Sequence, residues 1–274
     1  MKYCRFQISS FSVNEVHRSV QQIHPDIRNG IIEGDEVREI HGEFWGKHET
    51  AGPSWPLNSV KLLPPCTPSK IVCVGRNYAE HAKELANEVP KEPLLFFKPL
   101  SSVIGPDEPI VLPRLSQRVE YEGELAVVVG RRFRNLRNDE DIFAYILGYT
   151  CLNDVTARDL QRKDGQFTRG KGFDTFCPFG PVIETSLDLA SATVETFVNG
   201  TRKQFGHTSE MIFSLDVIIR YIAQVMTLEP GDVIATGTPS GVGPLAVGDV
   251  IEVSVSGVGT LRNFVIGPNE DSEN

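Results

Sequence analysis

Val119-Glu120-Tyr121-Glu122-Gly123-Glu124-Leu125 runs directly into Ala126-Val127-Val128-Val129-Gly130, and the stretch Glu120–Gly130 reads as one strong strand. Alternate side chains of a strand share a face, so Glu120, Glu122 and Glu124 line one side together. Like charges that close repel unless something neutralises them. A hard divalent cation does so well, and carboxylates suit Mg²⁺, Mn²⁺ or Ca²⁺. The same spacing is also met on the solvated face of an antiparallel strand, so by itself it leaves both readings open.

Four segments around this strand carry further candidate chemistry. In Cys151–Gln161, Asp154 follows the apolar stretch Ile146–Leu152, which can deliver it to a buried site. Asp154 is equally suited to N-cap a helix over Val155–Gln161, with Arg158 on its surface. Within Gly75–Glu84, a helix is predicted over Asn77–Asn87 from Ala79, Ala82, Leu85 and Ala86 at helical spacing. His81 and Glu84 share a face of it, either as a general-base pair or as an ordinary surface pair. Thr236–Pro244 is rich in glycine and threonine, fit for close backbone approach to a ligand or for a plain turn. Gly165–Gly172 nearly matches a phosphate-binding G-x-x-x-x-G-K-[ST] loop, but Gly172 stands where a hydroxyl is needed. No apolar strand precedes it, and Pro178 and Pro181 break any helix after it. A loop with a reactive or anion-binding Lys171 fits better.

The rest of the chain reads as α+β and β-rich. Tyr3–Ser9 is a candidate strand; Asn29-Gly30 is a turn pair, and Glu33-Gly34-Asp35 turns a short strand into Glu36–Ile40. Pro53, Pro56, Pro64, Pro65 and Pro68 then mark a connector, dividing the chain into a small N-terminal domain, 1–66, and a main domain, 67–274. Lys70–Gly75 is a short apolar strand. Leu215–Met226 is a helix with Leu215, Ile218, Ile219, Ile222 and Val225 on one side and Ser214 as N-cap. Glu229–Asp232 is a turn, Asp249–Ser256 alternates as a strand, and Gly257-Val258-Gly259 leads to a last strand, Thr260–Ile266. The polar tail Asn269–Asn274 is expected to fray.

A length of 274 residues is enough for a substantial core. Apolar residues at 40% and charged residues at 23% exclude wholesale disorder and a coiled-coil rod. The net charge of −9 and the lack of a basic stripe argue against nucleic acid and anionic membranes as partners. Cys4, Cys66, Cys73, Cys151 and Cys177 are odd in number, widely spaced and free of C-x-x-C pairs, which predicts buried, reduced thiols. The N-terminus turns polar too early for a signal-peptide core, and no apolar run approaches the ~20 residues that span a bilayer. A soluble, cytoplasmic protein is expected.

Taken in order, the segments resemble the fumarylacetoacetate hydrolase family. The resemblance rests on Val74-Gly75-Arg76-Asn77-Tyr78 with His81 and Glu84, Leu95-Phe96-Phe97-Lys98-Pro99, Tyr121-Glu122-Gly123-Glu124, Asn153–Asp159, Lys171-Gly172-Phe173-Asp174, Pro230-Gly231-Asp232 and Thr236-Gly237-Thr238-Pro239. It spans residues 70–267, and residues 1–66 resemble the small N-terminal domain of longer bacterial members. The resemblance implies a mixed β-sandwich roll that forms a homodimer. It implies Glu122, Glu124 and Asp154 as ligands of Mg²⁺ or Mn²⁺, with Ca²⁺ as an ion a crystal could capture. Glu120 stands where relatives vary and is not counted. His81 and Glu84 match a water-activating pair, Lys171 a lysine that reaches substrate, and Arg158, Gln161 and Thr238 substrate-pocket positions.

On these parts the expected substrate is a small anionic keto acid, and the leading expectation is hydrolysis of a C–C bond in an acylpyruvate-type 1,3-diketo acid. A metal would stabilise the enolate formed, and His81 held by Glu84 would activate water. Oxaloacetate decarboxylation and keto–enol tautomerisation or isomerisation, such as that of 2-hydroxyhepta-2,4-diene-1,7-dioate, pass through the same enolate and are the alternatives. A non-catalytic keto-acid sensor is the remaining reading.

Overall fold

The computed structural model describes residues 1–8, 27–50, 52–86 and 88–268. The expected tail, Asn269–Asn274, and the ends of the segments predicted to reach Ser9 and Asn87 lie outside them. Strands dominate: the described residues form sheets of twelve, five and three strands, and the α-helices are short, with Leu215–Val225 spanning 11 residues.

The stretch Gly123–Val129 lies in the interior of the large sheet. It pairs antiparallel with Ile146–Asn153 on one side and Val233–Ala235 on the other. Val233–Ala235 pairs parallel with Ile71–Gly75, which pairs antiparallel with the last strand, Leu94–Lys98. Both faces of Gly123–Val129 are covered, which explains its unbroken apolar run. Leu125, Val127 and Val129 point into a core shared with Ile218, Ile219 and Ile222 of the helix and Val253 and Val255 of the five-stranded sheet. Ala126 and Val128 point to the opposite core, with Ile71, Cys73, Leu152 and Phe179.

The expected single strand Glu120–Gly130 is two. Val119–Tyr121 belongs to the three-stranded sheet, pairing with Thr156–Ala157 and Gly243–Pro244. At Glu122 a side chain takes half of the backbone ladder: the Glu122 carbonyl accepts from the Asp154 amide at 2.8 Å, but the Glu122 amide donates to Asn153 Oδ1 at 3.0 Å. The helix Leu215–Val225 starts as expected, with Ser214 Oγ accepting from the Val217 amide. Ala223 takes the inward position expected of Val225, which is exposed. The helix predicted over Asn77–Asn87 is shorter, Ala79–Glu84, and Ala86 beyond it is left-handed with φ 55°.

Two N-terminal expectations are corrected. Asn29-Gly30 is no turn but lies inside the strand Arg28–Glu33; Gly30 is needed there because a Cβ would stand 2.7 Å from Val37 Cγ1. The chain reverses at Gly34, with φ 63°, as the second turn signal predicts. The proline-marked connector contains strands Ser54–Pro56 and Val60–Leu63, the latter paired with Lys2–Ile8. Pro53, Pro64 and Pro65 flank these strands and so remove no ladder donor from them. Lys2–Ile8 also pairs with Cys177–Glu184, so the N-terminal strands extend the same large sheet. All five cysteines are buried and unpaired, as their spacing predicts.

Candidate active site

Register brings the acidic residues together. Gly123 is paired with Asn153 across adjacent strands. Glu122 and Asp154, one step before the first and one step after the second, therefore emerge side by side, and Glu124 lies two residues along from Glu122 on the same face. Each offers a carboxylate oxygen, and these oxygens lie within 4.8 Å of one another. All three side chains are buried, at 5%, 2% and 1% exposure for Glu122, Glu124 and Asp154.

Cations meet two of the three. Lys171, on the short helix Thr168–Lys171, donates from Nζ to Glu122 Oε2 at 2.7 Å and Asp154 Oδ2 at 2.6 Å. Lys98 donates to Asp154 Oδ1 at 2.5 Å and to the Val155 carbonyl at 3.1 Å. Arg158 donates from Nη2 to Glu122, from Nε to Glu120 Oε2 at 2.6 Å and from Nη1 to Gln161 Oε1 at 2.6 Å. Glu120, expected beside Glu122 and Glu124, thus turns to Arg158 and Arg118 instead. Among the described residues, Glu124 receives only a backbone donor, the Gly237 amide at 2.7 Å. Gly237, with φ 101°, makes that approach possible where a Cβ would stand 2.7 Å from Asn77 Cβ.

Electrostatics follow this division. Burial alone would raise the Glu122 carboxyl, but the charges of Lys171 and Arg158 outweigh it and hold the group far below the usual carboxylate range. Burial, then the charges of Asp154 and Glu122, push the Glu124 carboxyl well above that range. Burial would lower Lys171, yet Asp154 and Glu122 raise it. The cluster therefore has one corner, at Glu124, where acidic oxygens outnumber positive charge. An all-oxygen donor set with such a corner fits a hard divalent cation held by Glu122, Glu124 and Asp154.

The cluster opens into a cavity of about 300 Å³, small for a ligand site. His81, Gln161 and Thr238 line it with the acidic cluster, and Val74, Leu85, Phe96 and Phe167 supply apolar wall. His81 is buried, and its Nδ1 stands 3.5 Å from Glu84 Oε2. Both Glu84 oxygens accept from the Gly241 amide at 3.1 Å, which anchors the carboxylate behind the ring. Burial holds the His81 imidazole below its usual pKa, so the ring is neutral and able to accept a proton. Thr238 is buried, donating to the Gly123 carbonyl and accepting from Gln204 Nε2, both at 2.8 Å. Lys171 in its helix faces carboxylates, which removes the phosphate-loop reading of Gly165–Gly172.

All nine sequence-expected residues converge here, with Glu84 behind His81 and Arg158 already engaged by Glu120, Glu122 and Gln161. Sequence reasoning assigned no role to Lys98, although one lysine ending the apolar strand Leu94–Lys98 is a signal for a buried cation. The partnership of Glu120 with Arg158 carried no local signal.

Known proteins resemble this chain over most of its length. The sequence profile described as "Fumarylacetoacetate (FAA) hydrolase C-terminal" matches residues 70–266, and that described as "Rv2993c-like, N-terminal" matches residues 22–65. An uncharacterized protein of Archaeoglobus fulgidus is 54% identical over 77% of this chain and 84% of its own. Human mitochondrial oxaloacetate tautomerase FAHD2A is 42% identical over 78% of this chain and 72% of its own. The crystal structure of 2-hydroxyhepta-2,4-diene-1,7-dioate isomerase from Mycobacterium marinum superposes with a TM-score of 0.85 at 41% identity, covering 98% of this chain and 100% of that one.

Proposed function

This chain belongs to the fumarylacetoacetate hydrolase family, and on that premise we propose that it is a divalent-metal-dependent tautomerase or isomerase of a small 2-keto acid. The observation that carries the reading is the buried Glu122–Glu124–Asp154 cluster opening onto the same small cavity as a neutral His81. The names of the tautomerase and isomerase relatives favour proton transfer over the hydrolysis that the sequence placed first. A cation held by the three carboxylates would supply Lewis-acid stabilisation of enolate charge.

The chain's own groups do the rest. His81 accepts the proton next to the ketone and returns it at the other end of the conjugated system. Glu84, fixed by the Gly241 amide, orients the ring and stabilises its protonated form. Lys171 brings positive charge toward the substrate carboxylate or enolate oxygen. Arg158 holds Glu122 in place from behind, and Gln161 and Thr238 offer polar contacts on the cavity wall.

Hydrolysis of an acylpyruvate is the second reading, because the same His81–Glu84 pair is able to deprotonate a water. Proton NMR of acetylpyruvate and oxaloacetate, with Mg²⁺ and with chelator, separates the cases. Chelator-sensitive keto–enol exchange without fragments supports the tautomerase. Acetate and pyruvate from acetylpyruvate would replace it with the hydrolase, and pyruvate from oxaloacetate with the decarboxylase.

The reading extends to a homodimer, supported by exposed Leu94, Phe97 and Leu100 at the outer end of the large sheet. Light scattering at the monomer mass would refute it. Five buried free thiols support a reducing, cytoplasmic location. Among the described residues, no helix is long and apolar enough to cross a membrane.

A further inference from the structure

The cavity holds more positive charge than the acidic cluster uses. Arg158 and Lys171 are already matched to Glu120, Glu122 and Asp154. Arg76 and Arg162 line the same cavity of about 300 Å³. Among the described residues, neither guanidinium has an ion-pair or hydrogen-bond partner. They reach the cavity from different elements. Arg76 directly follows the strand Ile71–Gly75, and Arg162 lies within the helix Arg158–Asp164. Arg76 is held in a left-handed conformation with φ 58°, which a residue with a Cβ adopts only at a cost.

We propose that Arg76 and Arg162 form a subsite for a second, distal carboxylate, so that the enzyme selects 2-keto dicarboxylic acids over monocarboxylic ones. The proposal rests on the metal-dependent keto-acid reading, which assigns the substrate's 2-keto carboxylate end to the acidic cluster. A divalent cation there would more than offset Glu124, the one carboxylate of the three that no cation meets among the described residues. Two further guanidiniums then favour a dianion over a monoanion. A guanidinium forms paired, charge-assisted hydrogen bonds with a carboxylate. The apolar flank of Phe96 and Phe167 strengthens such contacts by excluding water. Cavity size keeps the spacer between the two ends to a few carbons. Arg76 is half-buried and Arg162 exposed, so Arg76 carries the larger share.

The test is calorimetric binding to the full chain with saturating Mg²⁺, so it needs no turnover. Two ligand pairs each exchange a distal carboxylate for a methyl: 2-oxoglutarate against 2-oxopentanoate, and fresh oxaloacetate against 2-oxobutanoate. The wild type should prefer the dicarboxylate of at least one pair by about tenfold or more, the scale of one charge-assisted contact. Arg76→Gln should collapse most of that ratio and Arg162→Gln part of it, with the monocarboxylate affinity unchanged within about twofold. Arg76→Lys should restore part of the preference, which a merely structural role would not. Absence of any preference in the wild type, or a preference that survives both glutamine variants, overturns the arginine subsite alone. Failure of the wild type to bind any of the four acids would overturn the keto-acid reading and the subsite together.

Discussion

Lys98→Met is the sharpest test of the charge arrangement. The lysine is fully buried, as is its partner Asp154, and its ammonium makes two contacts, to Asp154 Oδ1 at 2.5 Å and the Val155 carbonyl at 3.1 Å. Methionine keeps the length and apolar stem, so the substitution removes charge and donors with little change of volume. Among the described residues, Asp154 would retain Lys171 as its one cationic partner. Breaking one side of a buried ion pair costs about 3–5 kcal/mol. For a chain of this size that is roughly 6–20 °C in Tm. Metal affinity should move the other way, because the variant loses a cation that competes for the charge of Asp154. Thermal unfolding in chelator, followed by Mn²⁺ titration of the folded protein, reads both effects. A Tm within about 2 °C of the wild type would refute the reasoning, because it would show that Lys171 by itself satisfies the buried Asp154 carboxylate. Weaker metal binding would show that Lys98 orients Asp154 rather than competing with a cation.

Other consequences follow from the same geometry. Asp154→Asn should weaken Mn²⁺ binding by more than the ~10–100-fold typical of a supporting partner's loss, and activity with it; full activity with intact metal binding would remove Asp154 from the ligand set. Burial depresses the His81 pKa, so the acid limb of kcat/KM should fall below the ordinary imidazole value, and a limb above neutrality would contradict the assignment. The unfolded chain protonates this histidine first as pH drops. Its contribution to stability is therefore complete above the ordinary imidazole pKa and shrinks below it, which urea titrations across that range would read. Deleting residues 1–66 removes the pairing of Lys2–Ile8 with Cys177–Glu184 and uncovers the core that Tyr3, Ile31 and Phe44 share with Ile71 and Phe179. The product should unfold at a lower temperature and lose solubility, and an equally stable monodisperse fragment would show that the N-terminal strands contribute little to that core.

The β-rich class, the strand at Gly123–Val129 and the helix with Ser214 at its start were legible in the sequence because each rests on local periodicity and a capping residue. The ordered motifs likewise pointed to all nine candidate site residues. What periodicity could not reveal was where a strand ends and joins another sheet. The expected strand Glu120–Gly130 divides at Glu122 because an asparagine side chain from a neighbouring strand, 31 residues on, takes the Glu122 amide. That division sends Glu120 to Arg158 and leaves Glu122 beside Asp154. The turn expected at Asn29-Gly30 failed for a related reason: the glycine answers to the crowding of Val37 from the next strand, not to a local reversal. Residue types and spacing determined which chemistry this chain is able to do. Only the tertiary structure decided which charges meet, with Lys98 on Asp154, Lys171 bridging two carboxylates, and Arg76 and Arg162 without partners among the described residues. Those pairings depend on distances of a few ångströms between segments far apart in sequence, and Coulomb energy is set by such distances rather than by sequence order.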